Sequence, residues 1–179
     1  MGVLALQGDF AAHAAALARA GAMPSEVRAA ADLERVDALV VPGGESTTLL
    51  KLLREFGLWE PLRAFAARGR AIFGTCAGLI LFAEEVRGPA QDSLGILPIS
   101  VVRNAYGRQV DSFVDRGRVR VPAQLRPALG GGESFAADFV FIRAPRIARV
   151  GPGVEVLAEH AGDPVLVRSG AILGATFHP

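Results

Sequence analysis

The sequence predicts an α/β protein in which helices cover both faces of an open, mainly parallel sheet, with extra antiparallel strands in the second half. In roughly the first half, apolar runs alternate with amphipathic stretches, as in parallel sheets whose strands are joined by helices. The second half instead carries six strand-like runs and little helical periodicity. At 179 residues, with no internal repeat or low-complexity linker, we expect a single domain spanning 1–179.

The first half of the chain begins with an apolar strand at 2–6 and an alanine-rich helix at 10–20. Asp9 is the predicted N-cap of that helix, Gly21 its C′ residue, and Ser46 the N-cap of the next long helix. The remaining predicted elements are an edge strand at 26–28, a strand buried on both faces at 38–41, helices at 46–56, 60–68 and 77–85, and a strand at 71–73.

The second half is predicted to be mostly strand. Ser169 and Gly170 form a two-residue hairpin turn signal between the last two strands. A loop rich in proline and glycine occupies 122–133. The predicted strands are 94–103, 112–121, 139–142, 154–159, 165–167 and 171–177.

Composition and charge narrow the range of functions. The net charge of +1 gives no electrostatic reason to expect a nucleic-acid or membrane-surface partner. No apolar run approaches the roughly 20 residues that span a bilayer, and the N-terminus lacks the features of a secretory signal. A single cysteine, Cys76, excludes an intramolecular disulfide and argues against a metal site of the usual kind. We therefore expect a cytoplasmic protein with no metal and no cofactor.

Cys76 lies between Gly74 and Gly78 where a predicted strand becomes a helix. Gly-x-Cys-x-Gly in this context is the cysteine version of a nucleophile elbow, a tight turn that projects its side chain from the carboxyl end of a strand. The start of the helix is expected to favour the thiolate, and the Ala77 N–H to face a developing oxyanion. The alternative is a buried structural cysteine with no chemistry.

Acyl chemistry at a thiol also needs a base, and the chain has three histidines. His13 falls in the alanine-rich helix and His160 at a strand-to-turn junction, so both are expected to face solvent. His178 directly follows a buried-looking strand and is far from Cys76 in sequence. We therefore predict that His178 is the base.

A second glycine-rich turn, Gly43-Gly44, ends the strand at 38–41. It is either an ordinary turn into a helix or the source of a second oxyanion donor. Its place on a strand near the predicted elbow favours the second interpretation.

Five segments of the sequence match motifs of one known family: PGGEST at 42–47, FGTCAGLI at 73–80, RNAYGRQVDSF at 103–113, FIRAP at 141–145 and FHP at 177–179. On these segments the sequence resembles the glutaminase subunits of pyridoxal 5′-phosphate synthase, which belong to the class I, triad-type glutamine amidotransferases and have a flavodoxin-like fold. The resemblance covers essentially the whole chain. PGG and GxCxG are shared across the class, whereas the GESTT extension, the RNxxGRQxDSF segment and FIRAP are much more specific to the vitamin B6 branch.

The resemblance implies a reaction and a set of site residues. Cys76 would attack the side-chain amide of L-glutamine to give a thioester and ammonia, with His178 as general base and then acid. Arginine suits the α-carboxylate of a free amino acid. The residues that match the family's glutamine-contacting positions are Gly44, Glu45, Ser46, Arg103, Ile142 and Arg143.

The resemblance also implies a partner. The ammonia would pass to a pyridoxal 5′-phosphate synthase subunit in a large hetero-oligomer, and contact with that subunit would activate hydrolysis. Gln7, in the first turn, is expected to belong to this interface. The family's triad ends in His-Pro-Glu, so the orienting glutamate is expected just beyond Pro179, together with a C-terminal helix, and a chain without them is expected to be a weak glutaminase.

Three alternatives remain at this stage. One is the glutaminase of another class I amidotransferase, such as imidazole glycerol phosphate synthase, against which the segments at 103–113 and 141–145 argue. Another is a cysteine peptidase or redox protein with the same elbow. The last is a binding module in which Cys76 is part of the core. Ammonia release from free glutamine would exclude the peptidase and the redox protein. Labelling by a glutamine-analogue electrophile that is lost in Cys76→Ala would exclude the binding module.

Overall fold

The computed structural model describes residues 1–103, 105 and 112–178. These residues form twelve strands, five helices and two short 3-10 turns at Ala123–Leu125 and Pro127–Leu129. In chain order the elements are β1 (Gly2–Leu4), α1 (Phe10–Arg19), β2 (Ser25–Val27), α2 (Ala30–Leu33), β3 (Ala38–Val41), α3 (Ser46–Glu55), α4 (Trp59–Ala67), β4 (Ala71–Thr75), α5 (Ala77–Phe82), β5 (Ala83–Arg87), β6 (Leu97–Val102), β7 (Phe113–Arg120), β8 (Ser134–Phe141), β9 (Arg146–Val150), β10 (Glu155–His160), β11 (Asp163–Ser169) and β12 (Ile172–Ala175).

A seven-stranded sheet organises the described chain, in the order β10-β11-β12-β4-β3-β1-β2. The strands from β12 to β2 pair in parallel, and β10 and β11 extend one end in antiparallel pairing. A three-stranded sheet β5-β6-β9 and the hairpin β7-β8 supply the remaining strands. The predicted fold class, a mainly parallel open sheet with antiparallel additions in the second half, is therefore confirmed.

Alternation along the central strands directs side chains to two different cores. Ile72 of β4 lies in a core with residues of α2, α3, α4 and α5, such as Leu53 and Phe65. Phe73 packs instead against a second core that includes Phe139 of β8. Thr75 has the same parity as Phe73 and is hydrogen-bonded to α1, so α1 covers that second face. Helices thus lie on both faces, as predicted.

The ends of several elements differ from the sequence-based expectations for local reasons. The helix after Cys76 ends at Phe82 rather than continuing to 85, because the next residues turn extended and pair with β6 as β5. The side chain of Glu45, not Ser46, caps α3 by accepting a hydrogen bond from the Thr47 N–H. The four-residue α2 and the strands β5 and β9 were not predicted, since such short elements carry little periodicity.

The caps of the first helix and the last hairpin agree with prediction. The Asp9 carboxylate accepts a hydrogen bond from the Ala12 N–H, and Gly21 has a positive φ of 83° just beyond the helix. β11 and β12 form an antiparallel pair around Gly170, whose φ is 56°. None of the helices that the structure describes is long and apolar enough to cross a membrane.

Candidate active site

The carboxyl ends of the parallel strands surround a cavity of about 140 Å³. Eight of the residues singled out from the sequence line it, although they come from five separate parts of the chain. The sheet order explains this, because β3, β4 and β12 are neighbours and end at one edge. The lining residues are Gly44, Glu45, Ser46, Cys76, Ile80, Arg103, Ile142, Arg143 and His178.

Cys76 occupies a strained turn between β4 and α5, with φ 48° and ψ −101°. Positive φ is unfavourable for a residue with a Cβ, so the surroundings must hold this conformation. A Cβ added to Gly74 would lie 2.7 Å from the Gly78 carbonyl carbon, and one added to Gly78 would lie 2.3 Å from the Val41 carbonyl oxygen. Both glycines are thus required by close packing of strand and helix, as an elbow predicts.

Gly43 separates the thiol-bearing side chain from the imidazole. A Cβ added at Gly43 would lie 2.3 Å from His178 Cε1 and 3.1 Å from Cys76 Cβ. The nucleophile and the base therefore flank one glycine, and any side chain there would enter the space between them. The structure thus brings together Cys76 and His178, the predicted nucleophile and base, which lie about a hundred positions apart in the chain.

Burial dominates the electrostatics of the thiol and raises the pKa of Cys76 to about 11. The N–H groups of Ala77 and Gly44 and the charge of Arg143 lower the pKa, while Glu45 raises it. The Ala77 N–H at the helix start favours the thiolate, as expected, but burial outweighs this effect and keeps the thiol protonated in the resting site. α5 has only six residues, and its start offsets too little of the desolvation cost of a thiol that is 6% exposed.

His178 is held by its own backbone, since its N–H donates to the Val140 carbonyl at 2.9 Å. This bridge joins the end of the last strand to β8 of the hairpin. Burial lowers the pKa of His178 below its usual value, and His13 lowers it further, whereas the Asp9 carboxylate raises it. The ring is therefore neutral near pH 7, the form that accepts a proton.

Two arginines flank one carboxylate on the other side of the cavity. Arg103 Nη2 lies 3.1 Å from Glu45 Oε1, and Arg143 Nη2 lies 4.0 Å from Glu45 Oε2. The Arg103 side chain is only 8% exposed, whereas those of Arg143 and Glu45 are nearly half exposed. The Arg143 backbone has a positive φ of 45°, a strained conformation of the kind that clusters at functional sites. The cavity thus presents a net positive wall with one acidic group.

Other predicted residues have defined positions around this wall. The Ser46 hydroxyl donates to Gln91 Oε1 at 2.9 Å, so its hydrogen already has a partner. Ile142 is 37% exposed at the cavity rim. Ile80 was not predicted from the sequence, although its place four residues after Cys76 puts both on one face of α5. That spacing is the signal that identifies it.

Gln7 lies behind the Gly43-Gly44 turn rather than in the cavity. Its Oε1 accepts a hydrogen bond from the Glu45 N–H at 3.3 Å, and its buried Nε2 has no hydrogen-bond partner within the described part of the chain. Gly44 has a φ of 148°, and a Cβ there would lie 2.0 Å from that Nε2. Gln7 therefore packs directly against the loop that carries one of the two N–H groups facing the thiol.

Two expectations about histidines are wrong. His13 is 5% exposed, because its ring turns inward and hydrogen-bonds the Thr75 hydroxyl. His160 does not simply face solvent, since its Nδ1 lies 2.8 Å from Asp115 Oδ2 and its ring packs 5.0 Å from that of Phe141. Its side chain is 19% exposed. Helical or strand position alone could not reveal these tertiary partners.

Parts of the motifs fall outside the described residues. In the segment 103–113 the structure describes 103, 105, 112 and 113, and positions 104 and 106–111 lie outside it. Pro179, after which the orienting glutamate was expected, also lies outside.

Comparison with known proteins identifies the family. The model of the SNO glutamine amidotransferase family matches residues 3–179. The pyridoxal 5′-phosphate synthase subunit PdxT of Solibacter usitatus is 52% identical over 179 residues, which cover all of this chain and 90% of that protein. The same subunit of Acidothermus cellulolyticus is 53% identical over 186 residues, which cover all of this chain and 85% of that protein.

Solved structures agree with this similarity. One described as the crystal structure of glutamine amidotransferase has a TM-score of 0.85 and 49% identity, covering 99% of this chain and 89% of that one. The structure of PurLQS from Thermotoga maritima, at 16% identity and a TM-score of 0.74, covers 99% of this chain and 86% of that one and supports the fold alone. From its sequence and its fold together, the chain belongs to the SNO glutamine amidotransferase family.

Proposed function

We propose that this chain hydrolyses L-glutamine and delivers the ammonia to a partner subunit that makes pyridoxal 5′-phosphate. The observation that supports the proposal is a single cavity lined by the thiol of Cys76 on its strained turn, the imidazole of His178, and the Arg103, Glu45 and Arg143 side chains. The family description names glutamine amidotransferases, and relatives at about half identity are named as subunits of pyridoxal 5′-phosphate synthase. A cytoplasmic location stays a prediction from the sequence.

The charges of the cavity suit a free amino acid. Arg103 and Arg143 can bind the α-carboxylate of glutamine, and Glu45 can accept hydrogen bonds from its α-ammonium. Sites for drug-sized ligands enclose about 300–1,000 Å³. The volume of about 140 Å³ is therefore suited to a single small molecule rather than to an extended peptide, which argues against a peptidase.

Cys76 and His178 then divide the reaction into two steps. His178 takes the proton of the thiol as sulfur attacks the side-chain carbonyl carbon, and it returns that proton to the nitrogen as the C–N bond breaks and ammonia leaves. Water, deprotonated by the same imidazole, attacks the thioester and releases glutamate. The thiol is regenerated, so one glutamine and one water give one glutamate and one ammonia.

The negative charge that develops on the carbonyl oxygen needs donors already in position. The N–H groups of Ala77 and Gly44 act on the Cys76 sulfur in the resting site, so both point toward the reacting centre. Gly43 contributes by lacking a side chain, which keeps the space between the thiol and the imidazole open.

In the resting site the transfer of a proton from Cys76 to His178 is unfavourable, which supports activation by a partner. Burial raises the pKa of the Cys76 thiol to about 11 and lowers that of the His178 imidazole. Gln7 packs against Gly44, so a partner that moves Gln7 would shift an N–H that stabilises the thiolate. We therefore infer that the synthase subunit docks near Gln7 within a larger hetero-oligomer and brings this loop into its active arrangement.

The experiment that tests the function measures ammonia release from L-glutamine with and without the synthase subunit. Activity should require the Cys76 thiol, so Cys76→Ala should lose about 10⁴-fold or more in kcat. Gln7→Ala should weaken activation by the synthase while leaving the unfolding midpoint nearly unchanged. If ammonia release persists in Cys76→Ala, or is absent from the wild-type pair, the proposal is wrong.

A further inference from the structure

His13 is a buried imidazole that the reaction described above does not use. It lies on α1 and is 5% exposed, whereas its neighbours along that helix are wholly or partly exposed. Burying a polar ring costs free energy unless its nitrogens have hydrogen-bond partners. Nδ1 lies 2.8 Å from the Asp9 carbonyl oxygen, and Nε2 lies 3.1 Å from Thr75 Oγ1. Both nitrogens are therefore satisfied.

These two partners define the tautomer. A carbonyl oxygen only accepts, so His13 Nδ1 carries the hydrogen that is donated to Asp9. In the neutral ring Nε2 is then an acceptor, and the Thr75 hydroxyl donates to it. A hydroxyl can both donate and accept, so this contact holds Thr75 whichever of the two groups donates. The hydrogen bond therefore fixes the rotamer of Thr75.

Thr75 connects His13 to the nucleophile. It is the last residue of β4, is fully buried, and directly precedes Cys76 with its φ of 48°. The Cys76 N–H donates to the Ala175 carbonyl of β12 at 2.8 Å. Within the sheet, β12 thus holds the strained turn at Cys76. One residue earlier, α1 holds it through the hydrogen bond between His13 and Thr75.

His13 also interacts electrostatically with the base. The titratable groups that act on His178 from the described residues are His13, in the first turns of α1, and Asp9, the N-cap of that helix. Arg143 and Glu45 act on the Cys76 thiol from the other side of the cavity.

We propose that His13 is a positioning residue of this active site, whose buried imidazole links Asp9 to Thr75 and so fixes the turn that presents Cys76. This inference rests on the proposed glutaminase function. His13 is not among the described residues that line the cavity, and it acts through Thr75.

Substitutions of His13 by shorter and longer amide side chains distinguish a positioning role from simple packing. In His13→Asn the amide reaches the Asp9 carbonyl but is too short for Thr75, whereas in His13→Gln the amide oxygen can accept from the Thr75 hydroxyl. Thr75→Val removes the same hydrogen bond from its other end with little change in shape. Arg19→Gln, an exposed change on the same helix, is the matched control.

The measurements are kcat and KM for glutamine with the synthase subunit, the unfolding midpoint, and the pH dependence of Cys76 alkylation by iodoacetamide in the chain alone. His13→Asn and Thr75→Val should each lower kcat about tenfold or more at nearly unchanged KM. The double variant should be no worse than either single one, because both remove one interaction. His13→Gln should recover to within about threefold of wild type, and the alkylation profile should shift in His13→Asn but not in Arg19→Gln.

The proposal is overturned if Thr75→Val keeps kcat within about twofold of wild type, if the two losses multiply, or if kcat falls only in proportion to the unfolded fraction. Should His13→Asn not fold, Thr75→Val carries the kinetic test on its own. A wild-type pair that releases no ammonia would refute the proposed function. The alkylation profiles would still decide whether His13 positions the thiol.

Discussion

The two edges of the central sheet carry cavities of opposite character. At the carboxyl edge a cavity of about 140 Å³ holds Cys76, His178 and the charged wall. At the amino edge a cavity of about 460 Å³ lies beside Ala38 and Ala71, the first residues of β3 and β4, and is lined mainly by aliphatic and aromatic side chains. None of the described residues that line it is a cysteine or histidine.

The smaller cavity is therefore the one equipped for catalysis. Parallel strands deliver their turns and the N-termini of the following helices to the carboxyl edge, so N–H donors and functional side chains collect there whatever the volume. At the amino edge, where the parallel strands begin, the residues that line the cavity are mostly apolar. Strand direction, and not cavity size, locates the chemistry in this fold.

The largest loss of activity is expected from a substitution of Gly43 at the carboxyl edge. Gly43→Ala should lower kcat for glutamine about 100-fold or more, because the new methyl group would lie 2.3 Å from His178 Cε1 and displace the base. Gly132→Ala is the matched control, since its new Cβ would meet nothing closer than 3.8 Å. Steady-state kinetics of both variants check this, and equal activities would contradict the role given to Gly43.

A smaller effect is expected from the cavity arginines. Arg103→Lys should raise KM for glutamine about tenfold with a lesser change in kcat, because an ammonium cannot replace a two-pronged contact with a carboxylate. Arg168 lines the amino-edge cavity, and Arg168→Lys should leave KM unchanged. A similar KM for both variants would show that the Arg–Glu–Arg wall does not bind substrate.

The pH dependence should follow the base at the carboxyl edge. Burial lowers the pKa of His178 below its usual 6.5, and the reaction needs the neutral ring. Activity is thus present above that pKa and lost as pH falls through it. A profile of kcat/KM with the synthase from about pH 5 to about pH 9 should bend below pH 6.5. A bend clearly above 6.5 would contradict the burial argument.

The smallest effect should come from the amino-edge cavity. Phe135 lines it and is 51% exposed. Phe135→Ser should keep kcat and KM within about twofold of wild type and change the free energy of unfolding by about 1 kcal/mol or less. Kinetics and thermal unfolding of the purified variant test this. A loss of activity larger than that of Gly43→Ala would reverse the assignment of the two edges.

Much of the architecture could be predicted because local sequence patterns specify many of its elements. The uninterrupted apolar run at 38–41, the Asp9 cap and the Ser169-Gly170 turn each specify one element without tertiary information. Short elements such as α2 and β9 could not be found this way, since four or five residues do not display a period. The helix after Cys76 ended early because pairing with β6 prevailed over local propensity.

In the site, too, local motifs predicted some features and tertiary packing decided others. Motifs with fixed spacing identified most of the cavity residues, whereas the protonation of the Cys76 thiol depends on burial that no local pattern encodes. His13 was expected at the surface because an alanine-rich helix offers no clear apolar face. Its partner Thr75 is 62 positions away, so only the folded chain reveals the contact.

The most direct test of glutamine chemistry at Cys76 is covalent labelling by the glutamine analogue 6-diazo-5-oxonorleucine in the presence of the synthase subunit, followed by mass spectrometry of the labelled peptides. We expect one adduct, on Cys76, that L-glutamine suppresses and that Cys76→Ser abolishes. No adduct on Cys76, or one that forms at the same rate with saturating glutamine, would contradict the claim that this thiol reacts with glutamine in the cavity at the carboxyl edge.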